Sequence, residues 1–440
     1  MMNNPEFKRN IWLELSLHRL IAAPVLLGLI FFVAMQNNSG AAISNTIAKS
    51  IFVIATILWG SQLAFSSVSD ELQNRTWDNQ RLSALPPFKL VWGKLFGATA
   101  FAWYIGLPCL VMMLFTSQAN LGVSQYQPSE LQIIVGLVLG ALLTHALAFT
   151  SALIAAKNNV QIPRGLNLLI IFVLLPGFGQ MIYASNNATQ SWYGHDFTHH
   201  GFVNASLVIF AAWAWLASYR VMQAALQIKV KPWAMLAFVL FSAFYVLGFY
   251  NNFNLGNFAS LTFIICLLMV YLGALTEKRD LVSARRCINA WLSKTPKNAL
   301  KETPYFVVLT LFSLVALGIT LFNTPASFTS FEQSVLKGQS FALVGLVLIL
   351  LMLRDIGLLY YFSLSKKPQR AVMTTFFYLM VLYVLLPLLL PKTVSFIAQP
   401  LMSLSQPSGV SGALILAFLH LLVVSGALYK QQIAMNQSLR

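Results

Sequence analysis

Long apolar stretches recur along almost the whole chain. A run of about 18 or more apolar residues with few charges is long enough to cross a membrane as a helix. Here 58% of the residues are hydrophobic and only 9% are charged, whereas globular proteins have roughly a quarter charged residues. The apolar stretches are 20–35, 47–67, 95–116, 131–156, 165–184, 202–219, 234–250, 258–275, 304–322, 339–363, 371–390 and 409–429. They predict an all-α polytopic membrane protein with twelve transmembrane helices.

The basic residues predict the orientation of these helices. If both termini are cytoplasmic, the outer loops carry only Lys49, Lys337 and Lys392 of the 28 Lys and Arg residues. Cytoplasmic loops of membrane proteins are enriched in Lys and Arg. We therefore expect a multi-pass protein of the cell (inner or cytoplasmic) membrane with both termini cytoplasmic. The net charge of +16 is explained by these cytoplasmic basic residues, which we expect to face anionic lipid headgroups. No nucleic-acid partner is therefore expected.

The chain matches itself when it is shifted by 210 residues. Nearly every span centre then falls on another, and Leu82-Ser83 and Pro86 fall on Leu292-Ser293 and Pro296. We therefore predict two tandem six-helix repeats, 1–226 and 227–440, related by a pseudo-two-fold axis along the membrane normal. Parallel repeats of this kind place a substrate path at their interface.

The segment 69–94, SDELQNRTWDNQRLSALPPFKLVWGK, is unusually polar for this chain. Trp77, Leu82 and Leu85 are spaced as an apolar stripe on a short helix. We expect Pro86-Pro87 to end that helix, because proline disfavours helix in the residue before it and lacks an N–H donor. Two interpretations are open: a helix lying on the lipid surface with Trp77 as interfacial anchor, or a docking element for a soluble partner.

This segment resembles the first cytoplasmic loop of the type-two class of ABC exporter permeases. The residues that carry the resemblance are Glu71, Arg75-Thr76-Trp77-Asp78, Leu82-Ser83-Ala84-Leu85-Pro86 and Gly93-Lys94. Residues 5–19, with Trp12 and Leu13 among their apolar positions, resemble the amphipathic elbow helix that opens the same family. The chain departs from the pattern at Arg75, where the family usually has Gly, and at the polar pair Gln80-Arg81.

The resemblance implies a translocation subunit driven by two copies of a separate cytoplasmic ABC ATPase, which binds ATP and Mg. In the first half the ATPase-coupling residues would be Glu71, Arg75, Thr76, Trp77, Asp78, Arg81, Leu82, Leu85 and Pro86. In the second half they would be Asp280, Arg285, Arg286, Trp291, Leu292 and Pro296. The chain has no G-x-x-x-x-G-K-[ST] phosphate loop. We therefore expect it to bind no cofactor of its own and not to be an enzyme by itself.

Two other functions are left open by the sequence. A secondary carrier of the major-facilitator type, driven by an ion gradient, would have a long loop between the two halves and a Gly–Asp–Arg/Lys-rich motif between spans 2 and 3. Here the linker 220–233 is short, and SDELQNRTWDNQR is a different motif. The other alternative is a non-transporting membrane assembly protein.

Ionisable residues inside spans suggest a substrate path or gate. Charges within spans are costly and usually pair with one another or face a cavity. The 210-residue shift places Thr144-His145 opposite Arg354-Asp355. His145, Arg354 and Asp355 therefore either line the interface between the halves or form satisfied structural pairs.

The predicted outer loop 185–201 contains a second polar group. Its His195, Asp196, His199 and His200 are weak candidates for transition-metal ligands, because imidazole suits zinc or copper. The alternative is that this loop contacts a partner outside the cytoplasm.

Overall fold

The structure, a computed structural model, describes most of the chain. The described residues are 4–36, 39–83, 85–119, 130–158, 177, 189–228, 230–250, 254–277, 281–293, 302–323, 340–365, 370–389, 400 and 409–438. The chain divides into two compact units, Met1–Ser191 with His195–Val230, and Trp192–Gly194 with Lys231–Arg440. The assignment of 1–226 and 227–440 as two permease modules stays a prediction.

The first unit is built from helices of very different lengths. They are α1 (Pro5–Glu14), α2 (Leu17–Met35), α3 (Gly40–Phe52), a π-helix (Val53–Trp59), α4 (Gly60–Gln73), α5 (Trp77–Leu82), α6 (Pro87–Ala98), α7 (Ala100–Ala119), α8 (Glu130–Asn158) and α9 (His199–Ala225). Proline begins both α1 and α6. The first residue of a helix needs no N–H, because that group has no acceptor within the helix. Strands β1 (Thr189–Trp192) and β2 (His195–Thr198) form a small two-stranded sheet that the sequence did not predict.

The second unit has a similar helical composition. Its helices are α10 (Trp233–Leu247), α11 (Leu255–Thr276), α12 (Leu281–Leu292), α13 (Tyr305–Phe322), α14 (Phe341–Ser363), α15 (Ala371–Met380), a second π-helix (Val381–Leu385), α16 (Leu386–Leu389) and α17 (Gly409–Ser438). Helix α11 packs against α13, and α14 packs against α17. Phe263, Val270, Val347, Met352 and Ala417 are buried in the core that these helices share.

Ten helices in the described part of the chain are long and apolar enough to cross a membrane. They are Leu17–Met35, Gly40–Gln73, Ala100–Ser117, Glu130–Asn158, His199–Ala225, Leu255–Thr276, Tyr305–Phe322, Phe341–Ser363, Ala371–Leu389 and Gly409–Ile433. The expected span 234–250 forms the shorter apolar helix Trp233–Leu247, and the expected span 165–184 lies outside the described residues except for residue 177. The chain is thus an all-α protein of the multi-pass membrane type, while the number twelve and the repeat stay predictions.

Helix α8 organises the core of the first unit. It packs against α4 and α9 and buries small residues such as Gly140, Ala148 and Ala152 along its length. Small residues let membrane helices approach each other closely. The large side chains Phe65 and Phe149 are buried in the same cluster, so the ends of α4, α8 and α9 are held in fixed positions beside the polar segment 69–94.

Candidate functional site

The polar segment 69–94 begins with a tight turn at the end of α4. The N–H of Thr76 donates to the carbonyl of Glu71 (2.8 Å), and the N–H of Arg75 donates to that of Leu72 (3.3 Å). This is the bond pattern that commonly ends a helix with one residue in the left-handed conformation. Arg75 is that residue, with φ of 57°. Glycine is the residue that adopts this conformation without a steric penalty, so this position favours glycine.

Helix α5 follows this turn and buries its tryptophan. Trp77 is 2% exposed and packs with Phe65, Leu90 and Phe149, whereas Leu82 at the other end of α5 is 85% exposed. The interpretation of Trp77 as an anchor in the lipid interface is therefore wrong. The predicted stripe of Trp77, Leu82 and Leu85 is also wrong, because the first of these residues belongs to the core and the second lies on the surface.

Arg81 fixes α5 to the ends of two long helices. Its Nε donates to the carbonyl of Ala225 (3.2 Å) at the end of α9, and its Nη2 donates to that of Ala156 (3.4 Å) near the end of α8. Its Nη1 pairs with Asp78 at 2.9 Å. The last carbonyls of a helix lack intrahelical donors and carry partial negative charge, so an arginine there is favourable. Arg81 therefore positions α5 within the unit.

Four charged side chains, here named the ion cluster, join the polar segment to α1. They are Glu6, Arg9, Glu71 and Lys94. The Nζ of Lys94 lies 2.9 Å from Glu6 Oε1 and 2.8 Å from Glu71 Oε1, and Arg9 Nη1 lies 2.9 Å from Glu71 Oε1. Lys94 is fully buried. Glu6 and Glu71 are also buried, whereas about half of the Arg9 side chain is exposed. The two positive and two negative charges balance, which the buried members of the cluster require.

Close backbone contact between α1 and α6 accompanies the ion cluster. A Cβ at Gly93 would lie 2.9 Å from both the Cβ of Glu6 and the backbone nitrogen of Phe7, and a Cβ at Gly97 would lie 2.8 Å from the Cβ of Asn10. Asn10 Nδ2 donates to the carbonyl of Glu6 (2.9 Å) and to its Oε1 (3.1 Å). The two glycines therefore allow α1 to lie directly on α6.

The ion cluster changes the acidity of Glu6. Burial by itself raises the pKa of the Glu6 carboxyl, but the ammonium of Lys94 and the guanidinium of Arg9 favour the ionised form more strongly. The net result is a pKa below the ordinary value of 4.5. Glu6 is thus held as a carboxylate at neutral pH.

The remaining side chains of the polar segment form its exposed face. Arg75, Thr76, Asp78 and Leu82 are exposed, as is Pro86 after α5. Leu85 is half-buried and packs at the edge of the core around Trp77. The predicted coupling residues of the first half thus divide into a buried set that holds α5 in place and an exposed set that is open to a partner.

The second-half segment is less completely described. Asp280 and Pro296 lie outside the described residues. Arg285, Arg286 and Leu292 are exposed on α12, and Trp291 donates from Nε1 to Thr303 Oγ1 at 2.9 Å.

Two details of this segment repeat those of α5. Leu82 and Leu292 are the exposed last residues of α5 and α12. The next residue, Ser83 or Ser293, donates to the carbonyl three residues before it. The two helices therefore end in the same way. Their packing differs, because Trp77 of α5 is buried whereas Trp291 of α12 is exposed.

The intramembrane residues are each bonded within their own unit. His145 is buried in the first unit, where its Nε2 lies 2.7 Å from the carbonyl of Thr56 in the first π-helix. Arg354 and Asp355 are 2% and 3% exposed and pair with each other at 2.7 Å in the second unit. These contacts fit the interpretation that the three side chains are structural groups with hydrogen-bond or ion-pair partners. A role of the three residues in a substrate path stays a prediction.

The histidine-bearing loop has mixed exposure. His195 and Asp196 are exposed on β2, while His200 is buried at the start of α9. Among the described residues there is no group of three or more His, Cys, Asp or Glu side chains placed to hold a metal ion.

Several members of these polar groups were not identified from the sequence. Glu6 and Arg9 were part of the elbow segment, but nothing in their spacing indicated that Glu71 and Lys94 would be their partners. Arg354 and Asp355 were identified, whereas His420 was not, although it is an ionisable residue inside an apolar stretch and therefore carries the same signal.

Comparison with known proteins gave no relatives. No protein-family model, no curated protein and no solved structure matches the chain.

Proposed function

We propose that this chain is the membrane-spanning permease subunit of an ABC exporter. In this proposal it lies in the cell membrane with both termini cytoplasmic. A separate cytoplasmic ATPase, in two copies, binds ATP and Mg and supplies the energy. The chain itself carries no catalytic group, and its two six-helix halves surround the substrate path.

One observation carries the proposal: α5 is a short helix fixed in place whose outer face is exposed. Trp77 and Arg81 hold its inner side against the ends of α8 and α9, while Asp78 and Leu82 remain exposed. A helix that only lies on lipid would direct its tryptophan to the membrane interface. A docking element benefits from being rigid before its partner binds, because less conformational freedom is then lost on association.

The contacts of the polar segment support a route for transmitting motion. Glu71, just before α5, pairs with Lys94 of α6 and Arg9 of α1. A displacement of the polar segment by the ATPase would therefore carry α1 and α6 with it, because breaking the pairs would leave buried charges without partners. In this mechanism Glu71, Arg9 and Lys94 are positioning residues, and Asp78 and Leu82 contact the ATPase.

The second half is proposed to dock a second ATPase copy on a different surface. Arg285 and Arg286 give α12 an exposed basic face, whereas α5 presents Asp78 beside Leu82. The exposed Leu82 and Leu292 at matching positions support a shared docking mode, and the difference in charge supports unequal strength at the two sites.

The test is co-purification from lipid nanodiscs, followed by an ATPase assay of the bound fraction. Leu82→Asp alters the exposed face of α5 without touching its buried side, and Leu292→Asp does the same in the second half. Ser191→Asp is the matched control, because it adds the same charge to an exposed residue of β1 outside both segments. We expect ATPase to co-purify with the wild type and the control, to be reduced by each single variant, and to be lost in the double variant.

Two outcomes would contradict the proposal in different ways. Equal ATPase recovery with the double variant would exclude α5 and α12 as the docking elements. Absence of any ATPase from the wild-type preparation would contradict the proposal that ATP hydrolysis drives this chain. Ion-gradient-driven uptake into proteoliposomes would then test the carrier alternative.

A further inference from the structure

A polar network joins three helices and a π-helix inside the second unit. Asp355 Oδ1 accepts bonds from Arg354 Nε (2.9 Å) and Nη2 (2.7 Å), and Asp355 Oδ2 accepts bonds from the hydroxyls of Tyr271 (2.8 Å) and Tyr383 (2.9 Å). Arg354 Nη1 lies 3.1 Å from Nδ1 of His420. The network therefore connects α11, α14, the second π-helix and α17.

The contact with Arg354 defines the protonation state of His420. A guanidinium has only N–H donors and stays charged in proteins, so Nδ1 of His420 must accept the bond. Nδ1 can accept only when it carries no proton, which means a neutral ring with its hydrogen on Nε2. The geometry is that of neutral His420.

Protonation of His420 is incompatible with this arrangement. A proton on Nδ1 would replace the acceptor by a donor and place a second positive charge about 3 Å from the guanidinium, where the repulsion is strong. The other titratable groups that bond to this network are Tyr271, Tyr383 and Asp355. Tyr271 and Tyr383 are neutral donors to Asp355, and the Asp355 carboxylate already accepts four bonds.

We propose that His420 is a proton-binding site that controls the packing of α17 against α14. Neutral His420 holds the two helices together through Arg354. Protonated His420 releases Arg354, and the α14–α17 contact opens. The inference concerns the second unit alone and does not depend on the identity of a partner ATPase.

A disulfide across the same helix pair provides the readout. A Cβ built on Gly357 of α14 lies 3.9 Å from the Cβ of Val424 of α17, within the roughly 3.5–4.5 Å that disulfides need. Val424 is one turn after His420. The variant Gly357→Cys with Val424→Cys, in a Cys287→Ser background, is oxidised in lipid nanodiscs between about pH 5 and 8, the range in which histidine titrates.

The matched comparison is the same cysteine pair with His420→Asn, whose Oδ1 can accept from Arg354 but does not titrate. Both proteins share the pH dependence of the thiols, so this dependence cancels in the ratio of their disulfide yields. We expect equal yields at the upper end of the range and a several-fold lower yield for the protein with His420 at the lower end. A ratio that does not change with pH would overturn the proposal.

Two further measurements keep the test decisive. His18→Asn, at an exposed histidine of α2, should leave the yield of the cysteine pair unchanged at every pH. If the cysteine pair prevents folding, the unfolding temperature of the otherwise unchanged chain replaces the disulfide yield. It should then fall on acidification more in the wild type than in His420→Asn, and equal falls would overturn the proposal.

Discussion

The ammonium nitrogen of Lys94 lies 2.8 Å from a carboxylate oxygen of Glu71, and the Lys94 side chain is fully buried. Glu71 lies in the last turn of α4, while Lys94 lies on α6 after the turn, α5 and the two prolines. The pair therefore closes the polar segment into a loop of defined shape. The ion cluster extends this closure to α1 through Glu6 and Arg9.

Replacing Lys94 by Met should destabilise the protein strongly. The change leaves Glu6 and Glu71 buried with only Arg9 to balance them, and breaking a buried pair by removing one partner costs about 3–5 kcal/mol. The free energy of unfolding in nanodiscs or mild detergent measures the effect. Lys89→Met, at an exposed lysine of the same helix, should change it little. An effect of Lys94→Met no larger than that of Lys89→Met would contradict the role of the ion cluster.

Acid should loosen the attachment of α1. The folded-state pKa of Glu6 is lowered, so its contribution to stability is complete above the ordinary pKa of 4.5 and is lost as the pH falls through the lower folded value. The stability difference between wild type and Glu6→Gln should therefore be largest near neutral pH and shrink on acidification. Protection of the N-terminal peptides from hydrogen exchange, followed against pH, measures this.

Glu14, at the end of the same helix, provides a control of opposite sign. Burial raises its pKa, and Arg19 offsets this only in part. Ionised Glu14 therefore costs the folded state stability above pH 4.5, and Glu14→Gln should gain stability relative to the wild type on going from acid to neutral pH. Parallel pH profiles for Glu6→Gln and Glu14→Gln would contradict these assignments.

Arg75→Gly should stabilise the protein. A left-handed conformation costs a residue with a side chain roughly 1–2 kcal/mol, and glycine removes most of this cost. Gln227, with φ of 64° after α9, provides an independent test, because Gln227→Gly should give a gain of similar size. The branched replacement Arg75→Val should lower the unfolding temperature. A loss of stability in both glycine variants would show that the two side chains make compensating contacts.

Gly93→Ala and Gly97→Ala should separate α1 from α6. The added methyl groups would lie 2.9 Å or less from atoms of Glu6, Phe7 and Asn10. Overpacking of this kind typically costs 1–3 kcal/mol, and we expect about that loss with faster proteolysis of the N-terminal segment. Gly28→Ala is the control, since no atom lies within 4 Å of its Cβ. Equal proteolysis rates in all three variants would count against the close α1–α6 contact.

The helices of this chain could be predicted well because their signal is local. Each apolar run is long enough to be recognised on its own, and the structure has a helix within a few residues of nearly every predicted span that it describes. The break between α6 and α7 at Thr99 was not predicted. The apolar composition continues across it, so hydropathy alone gives no signal for the break.

The location of the candidate site along the chain could be predicted, but the burial and the bonding partners of its residues could not. Trp77 was assigned to a surface stripe because its spacing from Leu82 suits a helix, but burial depends on where α4, α8 and α9 end. Arg81 looked like a departure from an apolar position, although it bonds to carbonyls of Ala156 and Ala225 far away in the sequence. The partners of Lys94 and His420 likewise come from distant segments, so periodicity and composition held no information about them.

The charge balance of the ion cluster has a consequence for how this protein can evolve. Losing any one of Glu6, Arg9, Glu71 and Lys94 leaves the other three with an uncompensated charge next to a buried lysine or carboxylate. Substitutions at these positions should therefore be inherited together. In homologous sequences, the first ten residues and the segment around Lys94 should covary, and chimeras that exchange only the N-terminal helix between distant homologues should fold poorly unless Glu71 and Lys94 are exchanged as well.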